Sequence, residues 1–294
     1  MDNEKEVFQQ DLSKEEHPGA VFVIHLLMKE PVELPDKERM TEVMAKYLSE
    51  VECFWHNEKG AGLEAKKYLA EFKDVSVPPQ LMITPCSPFS EESIGVFQKS
   101  QMWNCMGERD RILEECKYQV FATDMLAATL PMEQRAELDM DFMEALVELY
   151  PQCEAVYLHT SGKMFPADQI RNHQIPREDR FIHFAVNARF FNIQDTNDMI
   201  VDTVGMSTLF LPDIQYHFHD MDPNWVVNHA YNFASYIFKS GESAIKDGDT
   251  IDGISNGQLD QSIQWKCRCE DALIQPLRPV FDICMDEYAS GSRE

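Results

Sequence analysis

The chain has 294 residues, 44% of them hydrophobic and 18 of them Phe, enough to bury a sizeable core as one large domain or two moderate ones. It carries 26 Lys and Arg against 51 Asp and Glu, a formal charge of −25. A surface that acidic repels phosphate backbones, which argues against nucleic acid as a partner; it suits solubility, or docking to a basic protein partner.

Residues 1–18 are polar and acidic and read as a disordered lead-in, with neither the basic start nor the apolar stretch of a secretory signal. No apolar run approaches the ~20 residues that span a bilayer, so no membrane partner is expected and a cytoplasmic location is the default. The eight cysteines lack the spacing of a disulfide framework and read as reduced, mostly buried thiols.

In chain order, residues 20–28 form a continuous apolar run with β-branched members, the mark of a strand buried on both faces. An amphipathic helix follows over 36–50, with Met40, Val43, Met44, Tyr47 and Leu48 on its inner stripe. A strand over 51–56 ends at Gly60 and Gly62, which read as a flexible turn, and 68–72 fits either a short strand or a helical turn. A strand over 80–84, a helical stretch that breaks near Gly107 and resumes over 108–116, and a strand over 118–123 complete the order β-α-β-β-α-β, the ferredoxin-like pattern.

Pro131 opens a strong helix to Tyr150 with Arg135, Leu138, Phe142, Ala145, Leu146 and Leu149 on one face. A strand over 154–159, a loop with a helical turn over 160–179 and a long strand over 181–193 come next. From Asp213 to His219 the chain alternates, Ile214, Tyr216 and Phe218 against Gln215, His217 and His219, a strand with one apolar and one polar face. Asp222 as N-cap and Pro223 at the first helical position open a helix that carries Val226, His229, Ala230, Phe233, Tyr236 and Ile237 on one flank and stops at Gly241. Strands over 262–270 and 280–285 close the fold, followed by a polar tail over 286–294.

The expected class is therefore α+β: two packed ferredoxin-like layers with largely antiparallel sheets, one over 19–124 and one over 125–285.

Two constellations could carry chemistry. On a strand, residues two apart share a face, so His217 and His219 could meet Cys267 and Cys269 as two imidazoles and two thiolates around a tetrahedral zinc, the one cofactor in question. Against it, structural zinc sites use wider spacing, and the bland reading is two solvated histidines and two core cysteines. The other constellation gathers Asp213, His219, Asp220, Asp222 and His229 at the strand–helix junction, where a His–Asp pair could act as a base or hold a metal; the candidate site is Asp213, Gln215, His217, His219, Asp220 and His229. Here Asp222 is spoken for as a cap, and His229 and His25 read as core histidines that find partners. No nucleophile elbow and no phosphate-binding glycine motif is present.

Several runs resemble the C-terminal region of an uncharacterised bacterial family, the domain of unknown function 4261. They are Asp202-Thr203-x-Gly205, Leu211-Pro212-Asp213-Ile214-Gln215, Tyr236-Ile237-Phe238, Gly248-Asp249-Thr250-Ile251, Trp265-x-Cys267 and Pro276-x-Arg278-Pro279-Val280, the core of a family-like region over 200–285. Trp103 and Thr123-Asp124 extend the likeness over most of 19–285. The family has no established activity, so the resemblance implies a shared fold. The leading expectation is a non-enzymatic, immunity- or adaptor-like binding protein with an acidic surface; the alternative is a metal-binding protein or metal-dependent hydrolase using the His217/His219 strand.

Overall fold

The computed structural model describes residues 7–19 and 21–291. The chain divides into two compact units: residues 19–185, and residues 186–291 joined by 7–18. Both mix helices with antiparallel-rich sheets, and the class is α+β.

The unit over 19–185 holds β1 (Val23–Met28), α1 (Lys37–Leu48), β2 (Val51–Asn57), β3 (Gly60–Ala65), the two-residue strands β4 (Ala70–Glu71) and β5 (Ser76–Val77), β6 (Gln80–Ile83) and β7 (Ser87–Pro88). After the short helices α2 (Val96–Ser100) and α3 (Arg109–Glu115) come β8 (Tyr118–Met125), α4 (Met132–Leu149), β9 (Ala155–Leu158), β10 (Lys163–Pro166) and α5 (Ala167–Arg171). Its main sheet runs β10-β9-β1-β8-β6-β3-β2, antiparallel throughout, with β7 added on β8. Two crossovers organise it. Helix α1 carries the chain from β1 over three strands to β2, and α4 carries it from β8 over β1 to β9. The two helices pack against each other, and α1 buries Met40, Val43, Met44 and Leu48.

The second crossover helix is thus α4, beyond the expected boundary at 124, and not the stretch over 96–116. That stretch forms only α2 and α3, of 5 and 7 residues, too short to span the sheet. It instead buries Ile112 and Leu113 in one cluster with Leu27, Ala155, Tyr157 and Met164. The unit therefore extends to 185, and the division expected at 124/125 falls at 185/186. Gly60 and Gly62 lie inside strand β3 and do not form a turn. Gly60 has φ +134, and a Cβ there would meet the Ile83 carbonyl oxygen at 2.4 Å, so only glycine lets β3 approach β6 this closely.

The second unit holds β11 (Asn187–Asn192), β12 (Met199–Val204), β13 (Asp213–Phe218), α6 (Pro223–Ser240), β14 (Thr250–Ser255), β15 (Gln258–Asp271) and β16 (Pro279–Cys284). Its sheet runs β11-β12-β13-β16-β15-β14, with one parallel pair, β13 and β16. A parallel pair needs a crossover, and α6 supplies it. Asp222 caps α6 as expected, accepting from the Asn224 N–H at 2.9 Å, and Val226, His229, Ala230, Phe233, Ala234 and Ile237 form its buried face; Tyr236 faces solvent. With a single crossover helix, this unit does not repeat the β-α-β-β-α-β order, so the expectation of two ferredoxin-like layers gives way to two different α+β sheets. Residues 181–185 form one π-helical turn ahead of β11, shortening the strand expected over 181–193.

Among the described residues no helix is long and apolar enough to cross a membrane.

The polar lead-in is partly ordered. Leu277 N–H donates to the Glu16 carbonyl at 2.6 Å, Gln10 Nε2 to the Leu273 carbonyl at 2.9 Å, and the Gln275 side chain to the Lys14 carbonyl at 2.8 Å. Residues 1–6 of that lead-in and 292–294 of the expected tail lie outside the described residues.

Candidate functional site

Strand β13 sits between β12 and β16, and its two faces lead different lives. Lateral neighbours in a sheet share a face. Tyr216 and Cys267 both pair with Ile283 of β16, so both lie on the face of Tyr216, which packs under α6. His217, one residue on, points to the other face. The expected zinc set is thereby undone: β16 separates the His217 and Cys267 strands, their side chains leave opposite faces, Cys267 is buried and Cys269 is exposed. Among the described residues no group of three or more His, Cys, Asp or Glu is placed to hold a metal ion.

On the α6 face, His229 Nε2 lies 2.8 Å from the Asp252 carbonyl, and its Nδ1 lies 2.6 Å from the Tyr216 hydroxyl. A carbonyl only accepts, so Nε2 carries the proton and Nδ1 accepts from tyrosine. Burial lowers the imidazole pKa and pushes the Tyr216 phenol well up, so both stay neutral. His229 is a satisfied core residue.

The opposite face carries a row of charge. Arg189, Asp202, Gln215 and Asp282 stand side by side across β11, β12, β13 and β16. Arg278 is fully buried: its Nε donates to Asp213 at 3.2 Å, its Nη2 to Asp202 at 2.8 Å and the Thr203 carbonyl at 2.7 Å, and its Nη1 to the Ile274 and Pro276 carbonyls. Arg189 Nε donates to Asp202 at 2.8 Å and Nη1 to the Gln275 carbonyl, while Gln215 bridges the Leu273 N–H and Asp282. Burial would raise the Asp202 carboxyl pKa, but Arg189 and Arg278 outweigh it and hold the pKa below the ordinary carboxylate value. Asp213 also takes the Thr203 hydroxyl and the Met206 N–H; burial outweighs Arg278 there and its pKa is raised. Asp213 and Gln215 thus belong to a buried lattice that clamps the 272–278 loop, which contains a cis Gln275–Pro276 bond. The donor nitrogens of Arg278 are all spent on the protein itself.

His217, His219 and Asp220 sit elsewhere, at the carboxyl end of β13. There a groove of about 410 Å³ is lined by Asn192, Thr196, Asn197, Asp198, Asp220 and Met221. His217 Nε2 is 3.4 Å from one oxygen of Asp198. Ser290 Oγ donates to the other at 2.9 Å and lies 3.0 Å from His219 Nδ1, and His219 Nε2 is 4.0 Å from Asp220. The 286–291 segment reaches this place by pairing with the strand end: Ser290 N–H donates to the His217 carbonyl, His219 N–H to the Tyr288 carbonyl, and Phe218 bridges to Ala289. Gly291, at φ +81, lies so near His217 that a Cβ would sit 2.9 Å from Nδ1. Residues 286–291 of the expected polar tail are therefore part of the site.

Ser, His and Asp meet here in the wrong order for a nucleophile. A triad hydroxyl gives its proton to an imidazole that the carboxylate orients. Ser290 instead donates to the carboxylate and sits between it and His219, with 5% of its surface exposed. Reading the sequence missed Asp198 and Ser290 because each stands in a polar turn or tail, 19 residues before and 73 after His217 in the chain, with no local motif (217 − 198 and 290 − 217).

The comparisons join this site to a family. The model of a domain of unknown function, DUF4261, matches residues 202–284. Residues 202–284 are a DUF4261 domain. The match starts inside β12 and runs through β16, so it is narrower than the likeness expected over most of 19–285. It contains Asp202, Asp213, Gln215 and Arg278 of the lattice, Asp220 of the groove and His217 and His219 near it, while Asp198 and Ser290 flank the DUF4261 segment. No curated protein and no solved structure matches the chain.

Proposed function

We propose that the chain is a non-enzymatic binding protein of the cytoplasm, adaptor- or immunity-like, whose acidic surface holds a basic protein partner. A Lys or Arg side chain of that partner enters the groove between Asp198 and Asp220. The observation that carries this reading is the groove's lining: its two charged residues are both carboxylates, beside the neutral acceptors Asn192, Thr196 and Asn197. The charge of −25 favours the encounter with a cationic surface. The spent hydroxyl of Ser290 speaks for binding over nucleophilic catalysis.

The test is titration calorimetry with an oligolysine peptide at rising salt. The reading expects affinity to fall as salt screens the pairing, and to fall again in an Asp198→Asn, Asp220→Asn double variant. Binding indifferent to salt, or unchanged in the double variant, contradicts it.

A further inference from the structure

The groove at the end of β13 has its own counter-ions beside it. Each of its two carboxylates faces one histidine: His217 Nε2 lies 3.4 Å from Asp198 Oδ2, and His219 Nε2 lies 4.0 Å from Asp220 Oδ2. We propose that these histidines make the groove a proton-gated site: protonated, they neutralise Asp198 and Asp220 and the groove releases its cation; neutral, they leave both carboxylates to a Lys or Arg of a basic partner. The inference concerns the regulation of the groove and rests on the reading that a cation enters it.

The hydrogen bonds fix which nitrogen gains the proton. An ionised carboxylate only accepts, so the single hydrogen of the Ser290 hydroxyl goes to Asp198 Oδ1, at 2.9 Å. The Ser290 oxygen, 3.0 Å from His219 Nδ1, then accepts from an Nδ1–H. Neutral His219 therefore turns a bare Nε2 lone pair towards Asp220, and protonation replaces that lone pair with an N–H. At His217 the Nδ1 side is closed by Gly291, where a Cβ would stand 2.9 Å away, and Nε2 is the nitrogen that faces a charge. The two pairs differ in weight. The His217 and Asp198 side chains are 18% and 31% exposed, against 33% and 76% for His219 and Asp220, so water screens the first pair less. Asp198 is the carboxylate on which the gate chiefly acts.

The surroundings do not supply a competing switch. Asn192, Thr196 and Asn197 of the groove are neutral, Ile200 flanks His217 on β12, and Cys284 follows Ile283 onto the same face of β16. Lys266, opposite Cys284 on β15, stands two strands from His217, roughly 10 Å and close to a Debye length. Asp286 and Glu287, in the segment that carries Ser290, are exposed. Between about pH 5.5 and 7.5 carboxylates and ammoniums hold their charge while imidazoles change theirs. Acid thus adds a positive charge beside each carboxylate, satisfying it and repelling an incoming ammonium, and affinity for a cation falls as pH falls.

The experiment is calorimetry of the full chain with an oligolysine peptide at about pH 5.5 and about pH 7.5, beside NMR titration of the histidine rings. The peptide keeps its charge across that window and adds no pH dependence of its own. The proposal expects affinity at least about 5-fold higher at the upper pH, and a His217→Gln, His219→Gln double variant that binds within about 2-fold at both. Asp198→Asn should move the His217 titration to lower pH, because the charge that favours the imidazolium is gone. Equal affinity at the two pH values, a pH dependence that survives the double variant, or a His217 titration indifferent to Asp198→Asn overturns the proposal. The groove is judged separately. Affinity unmoved in the Asp198→Asn, Asp220→Asn variant discards the binding reading and the gate with it; binding lost in that variant yet equal at both pH values keeps the groove and discards the gate alone. Should the histidine variant fold poorly, the pH comparison on the unaltered chain still decides.

Discussion

Each unit buries arginine and aspartate, and the two do so to opposite effect. In the unit that contains the DUF4261 segment, Arg278 and Arg189 meet Asp202, Asp213 and the backbone carbonyls of Thr203, Ile274, Gln275 and Pro276, and all the donor nitrogens of Arg278 are used. In the other unit, Arg135 pairs with Asp124 at 3.0 Å, while Asp139, one turn along α4, is fully buried with no hydrogen bond to either oxygen and Arg135 Nε 4.0 Å away. Burial, with Asp124 adding to it, raises the Asp139 pKa well above its ordinary value. Whether a buried charge locks a structure depends on the count of partners around it. The lattice around Arg278 pins the 272–278 loop; in the α4 cluster Asp139 makes no hydrogen bond.

The largest way to break that contrast is Arg278→Met. Removing one partner of a buried ionic lattice leaves Asp202 and Asp213 uncompensated, and should cost about 3–5 kcal/mol in denaturant unfolding. A loss under about 1 kcal/mol would mean that the lattice does not hold the unit together.

Acid should strain the other unit through His25. Burial lowers its pKa from 6.5 to about 4, opposed by the Gln119 hydrogen bond and aided by His159. Below 6.5 the unfolded chain takes up the proton and the folded one does not, so stability drains away as pH falls towards about 4, by up to about 3 kcal/mol. His25→Leu should flatten that limb of the stability–pH curve; an unchanged limb would contradict the assignment.

Asp139→Asn should act in the reverse direction. A carboxyl whose folded pKa is raised keeps its proton folded and loses it unfolded, so it subtracts more stability as pH rises above the ordinary carboxylate range. The variant should gain about 1 kcal/mol near neutral pH, the gap closing in acid. A gap that widens in acid would reverse the sign and sink the argument.

The smallest effect belongs to the strap over 10–16, held to the loop by exposed hydrogen bonds. Gln275→Ala should cost only about 0.5–1.5 kcal/mol, and amides 10–16 should exchange with solvent faster than those of β13.

Much of this was legible in the chain. The helix at Pro223 and its Asp222 cap follow from local chemistry, as does the alternation along Asp213–Phe218. What escaped includes short strands with no strict alternation: Lys163–Pro166 pairs with Ala155–Leu158 and Met199–Val204 with Asn187–Asn192, each across a short turn, and Gly60–Gly62 looked like a turn because glycine inside a strand carries no side-chain pattern. Asp202 and Arg278 stood in the family-like runs, yet 76 residues of intervening chain hid that they form an ion pair. The histidines were found, but their carboxylate and hydroxyl partners come from a turn and a tail that only folding brings to them. Face and register, which no single segment reveals, removed the cysteines from the same site.

The most direct measurement of the central claim is hydrogen exchange on the full chain with and without a saturating oligolysine peptide. A cation seated in the groove should protect amides over 192–199, 217–221 and 286–291 and leave β14 and β15 unchanged. Protection spread evenly over the acidic surface, with none at those three segments, would contradict the groove as the place where a basic partner is held.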